Sequence, residues 1–221
     1  MERKKYLAMI ILAGGKSNRL GLEKGQIKLN DKPLILYQIE TLSEFDEDIF
    51  LVVNSEEQEF TFKKNITIPD QVEFVIDDRE FFPFPGIFTP MIGIYSAFKE
   101  LNRRGFEKGF ILAGDAPFVK SEVIKYLIEQ STDFDCCIPK WENGFLEPLF
   151  AIYPVGDTFN RAKEIIKNQN HYALTHLIRE EWKTNYISVE NELIPLDNNL
   201  TSLININGPI DIEKAKELFK T

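Results

Sequence analysis

The sequence predicts an α/β fold with a mostly parallel sheet and helices on both of its faces. Short continuous apolar runs alternate with amphipathic stretches along the chain, a pattern typical of successive βαβ units. The first apolar run, YLAMIILA at 6–13, leads directly into a glycine-rich turn. We see no repeat, low-complexity run or linker, and we therefore expect a single domain over 1–221.

The first half of the chain contains four candidate strands and two candidate helices. One helix is expected at 32–45, with Pro33 in its first turn, where a missing N–H costs least. A second is expected at 89–105, capped by Thr89 and ended by Gly105. The strands are expected at 6–13, 48–55, 72–77 and 108–117.

The second half continues the alternation of strands and helices. Helices are expected near 120–131, 155–168 and 173–181, with a last helix from Pro209 to Phe219, and strands at 135–140, 146–154, 184–189 and 203–207. Together the two halves predict a three-layer α/β/α sandwich of Rossmann-like type.

Composition excludes several classes of protein. A net charge of −9 and a pI near 4.9 argue against a nucleic-acid binder, which normally shows a basic stripe and a high pI. No apolar run approaches the roughly 18 to 20 residues of a membrane helix. We interpret the basic N-terminus as a solvated segment before a buried strand, and we expect a cytoplasmic protein that binds neither nucleic acid nor membrane.

One segment reverses the overall negative charge. Residues 16–32 carry a net charge of +3, from five cations and two carboxylates: Lys16, Arg19, Lys24, Lys28 and Lys32 against Glu23 and Asp31. A solvated loop is the alternative interpretation. The position of the segment directly after a strand and a double glycine favours the binding of a polyanion.

The glycine-rich turn does not fit the two commonest phosphate loops. Gly15, Lys16 and Ser17 match the end of the Walker pattern, but Ile10 stands where its first glycine is required. The GxGxxG pattern fails because Gly14 and Gly15 are adjacent. Another type of phosphate site is therefore expected.

Polar residues follow the first four strands at their carboxyl ends, where ligands bind in an open parallel sheet. They are Gly14 and Gly15, then Asn54, then Asp78 with its neighbour Asp77, and last Asp115. Backbone N–H groups at the glycines suit phosphate oxygens, and Asp115 suits Mg²⁺, which needs only one or two carboxylates. Taken alone, Asp115 also fits a simple turn and Asn54 a simple strand end.

The cysteines and histidines carry no metal-site spacing. Cys136 and Cys137 are adjacent, which is typical of neither a disulfide nor a zinc site, and we expect both in a strand core. His171 and His176 are five apart, not at the i, i+4 spacing of one helix face. We assign them no metal.

Several motifs together resemble a known family. LAGGKSNRLGLEKGQIKLNDKPLI (12–35) is similar to the opening signature of nucleotidyltransferases, LAGGxxxRxGxxK. Within that superfamily the chain most resembles molybdenum cofactor guanylyltransferase. VVNS, VIDD, LAGDAPFV and LININGPIDIEKAKEL agree as well, so the resemblance spans nearly the whole chain.

The resemblance implies a magnesium-dependent transfer of GMP from GTP to the phosphate of molybdopterin, with release of pyrophosphate. It implies nucleotidyltransferase topology, a nucleotide-binding half at about 1–117 and an acceptor-binding half at about 118–221. Other proteins of molybdenum cofactor synthesis, or proteins that accept the cofactor, are candidate partners beside GTP and molybdopterin.

The resemblance also assigns roles to residues. Catalytic roles fall on Arg19, Lys24 and Asp115, of which Asp115 holds the metal. Acceptor contacts fall on Asn205 and Asn207, for which a strand-to-helix turn before Pro209 is the alternative. The nucleotide-binding set is Leu12, Ala13, Gly14, Gly15, Lys24, Asn54, Asp78 and Asp115.

Three departures bear on the second substrate. The chain reads TPMIG where the family tends to have GPLAG, Glu147 where it tends to have Gln or His, and His171 with Tyr172 where a basic pair is common. Two alternatives therefore stay open. One is transfer of CMP or another nucleotide to molybdopterin or to a sugar or polyol phosphate, and the other is a nucleotide-binding regulatory protein without the chemistry.

Overall fold

The computed structural model describes residues 5–14, 16–17, 22–23, 26–45, 47–80, 89–168 and 172–218. Its centre is a seven-stranded sheet in the order β11-β9-β10-β8-β1-β6-β7. The sheet strands are β1 (Leu7–Leu12), β6 (Asp48–Val53), β7 (Val72–Ile76), β8 (Lys108–Ala113), β9 (Cys136–Lys140), β10 (Phe150–Pro154) and β11 (Thr184–Ser188). Two short ribbons pair β2 (Lys16–Ser17) with β3 (Leu22–Glu23), and β4 (Lys28–Leu29) with β5 (Lys32–Pro33).

The sheet is mostly parallel, as the sequence predicts. β1 pairs in parallel with β6 and β8, and β7 pairs in parallel with β6. β10 is antiparallel to both of its neighbours, β8 and β9, while β9 and β11 are parallel. The four strands whose ends carry the candidate site therefore point in one direction.

Helices cover both faces of the sheet and give the expected three layers. One face packs against α1 (Leu34–Leu42), α2 (Glu56–Asn65) and α4 (Ser121–Gln130). The other packs against α3 (Pro90–Arg104) and α5 (Val155–Lys167), and α6 (Pro209–Leu218) ends the described chain. Within the described ranges, no helix has the length and apolar character needed to cross a membrane.

The helix ends follow simple backbone chemistry. Thr89 caps α3, with its hydroxyl accepting a hydrogen bond from the Met91 amide, and Pro90 is the first helical residue. Gly105 ends the helix in the left-handed region, with φ of 80°. The Thr89 cap and the Gly105 end match the sequence-based expectation.

Several local predictions were wrong. α2 was missed, although Ser55 caps it by accepting a hydrogen bond from the Gln58 amide. Residues 173–181 form only a 3₁₀ turn at Leu174–Leu177, and the segment 203–207 joins no strand. Pro33 lies in β5 immediately before α1 instead of in its first turn.

Gly114 marks the closest approach between two chain segments. A Cβ built on Gly114 would lie 2.7 Å from the carbonyl oxygen of Leu12 and 3.0 Å from the Cα of Ala13. Both of these are backbone atoms held in the sheet, so they cannot move away cheaply. Glycine is therefore required where β8 passes the end of β1.

We expect Gly114→Ala to lower the free energy of unfolding by about 1 to 3 kcal/mol, the usual cost of overpacking. Gly156→Ala in α5 is the matched control, because its added Cβ meets nothing closer than 3.6 Å. That control should be neutral or stabilising by up to about 1 kcal/mol. Urea unfolding of both variants checks this, and equal stabilities would contradict the close approach.

Candidate active site

The carboxyl ends of β1, β6, β7 and β8 meet at one edge of the sheet. The Ala13 amide donates to the Val52 carbonyl at 2.8 Å, which continues the β1–β6 pairing past the strand end. The Gly114 amide donates to the Leu12 carbonyl at 2.9 Å on the other side of β1. The polar residues that follow these strands are thereby brought to one place.

A first cavity opens at this edge. It contains strand-end residues together with the first residues of α3, and its lining is Leu12, Gly14, Val52, Asp77, Thr89, Pro90, Gly93, Ala113, Gly114, Asp115 and Leu149. Gly14 and Asp115 therefore line the same cavity. Gly93 lines the cavity from α3 without a side chain. An added Cβ there would lie 3.3 Å from Leu12 Cδ2.

Asn54 holds the turn at Gly14. Its Nδ2 donates to the Gly14 carbonyl at 3.0 Å, while the Ser55 hydroxyl donates to its Oδ1 at 3.0 Å. The buried Gln58 side chain completes the support, because its Oε1 accepts from the Asn54 amide at 2.6 Å and its Nε2 donates to the Ala13 carbonyl at 3.1 Å. The ends of β1 and β6 are fixed relative to each other by these contacts.

Asp115 lies on a tight turn that two distant segments hold. It is only 8% exposed. Gln38 of α1 donates through Nε2 to the carbonyls of Ala113 and Ala116, at 2.6 and 2.8 Å. The Ile206 amide, from the C-terminal segment, donates to the Asp115 carbonyl at 2.8 Å. The backbone is therefore held before, at and after Asp115.

The two aspartates after β7 face different surroundings. Asp77 lines the first cavity, and burial raises the pKa of its carboxyl to about 7, against a smaller lowering by Arg79. Asp78 forms an ion pair with Lys99 of α3. Burial alone would raise the pKa of Asp78, but hydrogen bonds from Lys99 and from the Glu80 amide hold that pKa below its ordinary value.

A second cavity shares Ala113, Asp115 and Leu149 with the first. Its remaining lining comes from the segments around β10 and from the C-terminal part: Ala116, Glu147, Pro148, Phe150, Leu174, Ser202, Leu203, Asn205 and Asn207. The Glu147 carboxylate accepts a hydrogen bond from the indole N–H of Trp141 at 2.7 Å. Asp115 thus stands at the junction of two cavities, and Asn205 and Asn207 line the second of them.

A buried carboxylate organises the chain that leads to the two asparagines. Asp197 is 1% exposed, accepts from the Ser202 amide at 2.8 Å, and pairs with Lys120 at 3.0 Å. Burial alone would raise the pKa of Asp197, but these hydrogen bonds and the Lys120 ammonium lower it. The Ser202 hydroxyl in turn accepts from the Lys120 amide at 3.0 Å, which joins this loop to the start of α4.

Ile206 anchors the same segment from between the asparagines. Asn205 and Asn207 are exposed, whereas Ile206 is fully buried. It packs in a small cluster of buried residues contributed by the β4 region, α1 and α6: Ile27, Leu29, Leu34 and Ala215. Asn205 and Asn207 are therefore attached to the chain that follows the glycine-rich turn.

Some expected site residues lie outside the described part of the chain. They are Gly15, Arg19 and Lys24, and His171, which was assigned no site role, also lies outside it. His176 lies in the 3₁₀ turn, where its backbone carbonyl accepts from Arg161 Nε at 2.9 Å. Among the described residues, no group of three or more His, Cys, Asp or Glu side chains is arranged to hold a metal ion.

The two cysteines belong to the core, as expected. Both are fully buried in β9, and neither forms a disulfide. Burial raises the pKa of both thiols, that of Cys137 to about 12. They are unreactive at neutral pH for this reason.

Sequence reasoning missed two glutamines that support the site. Ser55 followed three residues later by Gln58 is the S-x-x-Q signature of a capping box, and this signal was present in the sequence. Gln38 lies in no recognisable motif. A single polar residue on an apolar helix face does not indicate which backbone carbonyls it will bond. Asp77 was noticed as a strand-end residue, but the chain alone does not tell which of two adjacent aspartates faces the cavity.

A mostly parallel sheet with two joined cavities at its carboxyl edge, where a glycine turn and Asp115 line the same cavity, defines a class of nucleotide-binding α/β proteins. The model of the MobA-like NTP transferase domain matches residues 9–183. The chain belongs to this family, and it is a nucleotidyltransferase.

Relatives and solved structures agree with this family. A probable molybdenum cofactor guanylyltransferase of Thermococcus sibiricus is 33% identical over 94% of this chain and 96% of its own length. One of Natranaerobius thermophilus is 30% identical over 96% and 95% of the two chains. The crystal structure of molybdopterin-guanine dinucleotide biosynthesis protein A from Archaeoglobus fulgidus has a TM-score of 0.75 and 28% identity, and covers 96% of this chain and 98% of that one.

The pKa of Asp77 yields a prediction about stability. Its rise from 3.8 to about 7 corresponds to about 4 kcal/mol of destabilisation when the carboxyl is ionised. Between about pH 4 and 7 the folded state keeps a proton that the unfolded state has lost, so stability falls as pH rises through this range. We expect Asp77→Asn to raise the melting temperature by several degrees at pH 8 and by much less at pH 5.

Asp78→Asn is the matched control for this measurement. It removes a partly exposed ion pair with Lys99, which stabilises by no more than about 1 kcal/mol, so we expect a small loss of stability at pH 8. Thermal unfolding of the three proteins at both pH values checks the difference. A gain for Asp77→Asn that is the same at pH 5 and pH 8 would show that the carboxyl is not held protonated by burial.

Proposed function

We propose that this protein transfers GMP from GTP to the phosphate of molybdopterin and releases pyrophosphate. The observation that carries the proposal is the position of Asp115 at the junction of the two cavities. One cavity contains the glycine turn, which suits a nucleoside triphosphate, and the other contains Asn205 and Asn207. The names of the relatives support guanine nucleotide and molybdopterin as the two substrates.

In the proposed reaction an oxygen of the acceptor phosphate attacks the α-phosphorus of GTP. A new P–O bond forms, the bond from the α-phosphorus to the oxygen bridging to the β-phosphorus breaks, and pyrophosphate leaves with the electron pair of that bond. The attacking phosphate is already ionised at neutral pH, so no general base is needed. Catalysis then depends on alignment and on neutralising the charge of the leaving group.

The chain supplies phosphate contacts at the end of β1. Because glycine has no Cβ to obstruct a ligand, the backbone N–H groups of Gly14 and Gly15 are the proposed donors to phosphate oxygens. Arg19 and Lys24 are the proposed cations for the phosphates, since they follow the same turn in the sequence. Asn54 contributes by holding the Gly14 carbonyl, which fixes the direction of this turn.

Asp115 fits a magnesium ion. Mg²⁺ binds through one or two carboxylates and takes its other ligands from water and substrate phosphates, so a dedicated cage of protein ligands is not required. A single, mostly buried carboxylate facing both cavities meets this need. Bound there, the ion would neutralise charge on the phosphates as pyrophosphate leaves.

Asp78 and Asp77 are the proposed nucleotide contacts at the end of β7. Asp77 lines the first cavity, whereas the carboxylate of Asp78 is paired with Lys99. An Asp78 contact with the nucleotide would therefore compete with this ion pair or extend it. Asp77, with a pKa of about 7, is protonated in about half of the molecules at pH 7, and its protonated form offers a hydrogen-bond donor to a ligand oxygen.

We predict a turnover loss of roughly 10² to 10³ for Lys24→Ala, and at least as much for Asp115→Ala, with the fold retained. Each substitution removes a charge that stabilises the transition state. Exposed Lys125→Ala and Asp133→Ala are the matched controls and should keep normal turnover. Pyrophosphate release by purified variants decides this, and near-normal turnover of Asp115→Ala would remove the metal assignment.

The choice of nucleotide is tested by thermal shift with Mg²⁺ and each of GTP, CTP, ATP and UTP. We expect GTP to stabilise most, by about 2.7 kcal/mol at a hundredfold excess over its dissociation constant. Selective stabilisation by CTP would replace guanine by cytosine in the proposal. Binding of GTP with no pyrophosphate formed in the presence of molybdopterin would instead indicate a nucleotide-binding protein without the transfer chemistry.

A further inference from the structure

Two buried glutamines hold the two turns on which the site depends. Gln38 is 0% exposed and Gln58 is 3% exposed, although amide side chains are usually found at the surface. Each reaches from a helix to backbone carbonyls at the carboxyl edge of the sheet. They act on different turns, which allows their effects to be separated.

Gln38 surrounds Asp115 on both sides. Its Nε2 donates to the carbonyl of Ala113, the first residue of the turn, and to the carbonyl of Ala116, the last residue of the turn. The Ala116 amide closes the turn on the Ala113 carbonyl at 3.2 Å. Both hydrogens of one amide group are thus used to set the shape of a four-residue turn.

The chemistry of Gln38 argues against a role in packing alone. Its Oε1 is buried and accepts no hydrogen bond within the described part of the chain. A buried, unpaired acceptor costs about 1 to 3 kcal/mol, which an apolar side chain of similar size would avoid. We attribute the presence of glutamine at position 38, instead of an apolar residue, to the two hydrogen bonds that its amide donates to the Asp115 turn.

Gln58 supports the other turn. It joins the Ala13 carbonyl to the Asn54 amide, and Asn54 in turn holds the Gly14 carbonyl. The side-chain amide of Gln58 thus bonds at Ala13 and Asn54, whereas that of Gln38 bonds at Ala113 and Ala116.

We propose that Gln38 is a positioning residue for the divalent cation, acting through the Asp115 turn, while Gln58 positions the nucleotide-binding turn. The cation part of this inference rests on the proposed function. Side chains that orient a metal ligand typically change metal affinity 10- to 100-fold when they are replaced. The same range is expected here for Gln38.

The test compares Gln38→Met with Gln58→Met, since methionine is unbranched, of similar length, and donates no hydrogen bond. Binding of Mn²⁺ to the protein with GTP is measured by electron paramagnetic resonance, and GTP binding in EDTA by calorimetry. Gln38→Met should weaken Mn²⁺ binding about 10- to 100-fold and leave GTP binding in EDTA within about twofold of wild type. Gln58→Met, unlike Gln38→Met, should weaken GTP binding in EDTA.

Ile165→Ala controls for loss of stability alone. Ile165 is buried in α5 and lines neither cavity, so its truncation lowers stability without touching either turn. Normal Mn²⁺ binding by this variant and weakened binding by Gln38→Met support the proposal. Mn²⁺ binding by folded Gln38→Met within twofold of wild type overturns it.

Amide hydrogen exchange separates failure of this inference from failure of the proposed function, because it needs no ligand. Gln38→Met should speed exchange at the Ala116 and Ile206 amides, which bond within and to the turn, and leave the Ala13 amide protected. Unchanged exchange at Ala116 and Ile206 overturns the positioning role. If wild-type protein binds no Mn²⁺ with GTP, the metal part of the proposed function fails, and the exchange rates alone decide whether Gln38 holds the turn.

Should Gln38→Met not fold, Gln38→Glu takes its place. Burial keeps such a carboxyl protonated, so it retains one donor where glutamine has two. We then expect a loss of Mn²⁺ affinity smaller than the 10- to 100-fold range and faster exchange at Ala116. Wild-type values in both measurements would again contradict the proposal.

Discussion

The close approach of β1 and β8 is the constraint on which the site depends. The two strands run in parallel and end level with each other, with Leu12 opposite Ala113. The Gly114 amide then bonds to the Leu12 carbonyl, at a distance that leaves no room for a Cβ. The turn that carries Gly14 and the turn that carries Asp115 are consequently neighbours, although about a hundred residues separate them in the chain.

The sequence predicts this central arrangement because its signals are strong and local. Buried parallel strands appear as continuous apolar runs, and the rule that ligands bind at their carboxyl ends places Gly14, Asn54 and Asp115 together without any coordinates. The features that the sequence does not predict depend on tertiary contacts. Residues 203–207 look like a strand, yet the Ile206 amide bonds to the Asp115 carbonyl instead of to a sheet neighbour.

Weak local signals explain the other differences. α2 buries only Gln58 and Phe62, so it lacks the apolar stripe by which a helix is usually recognised. The segment 173–181 buries Leu177 on the α5 side but forms only a single 3₁₀ turn. The position at which β7 ends relative to α3 decides whether Asp77 or Asp78 lines the cavity. The amino-acid sequence does not predict this position to within one residue.

The charges of the site raise a physical problem for the proposed substrates. The chain carries a net charge of −9, and Asp77, Asp115 and Glu147 all line the two cavities, yet the proposed ligand is a triphosphate. Burial reduces this repulsion at Asp77, whose pKa of about 7 leaves about half of the carboxyl neutral at pH 7. At Asp115 the proposed Mg²⁺ would make the local charge positive. The basic segment at 16–32 is the proposed source of the remaining positive charge.

The same arrangement gives a physical reason why the two proposed substrates should bind in a coupled way. Ile206 is bonded to the Asp115 turn through its backbone and packs on Ile27 and Leu29 through its side chain, with Asn205 and Asn207 on either side of it. Asn205 and Asn207 are therefore linked through Ile206 both to the turn of Asp115 and to the end of the basic segment at 16–32. In the proposed function, this one buried residue would connect the nucleotide side of the site to the acceptor side, and we expect binding on one side to affect binding on the other.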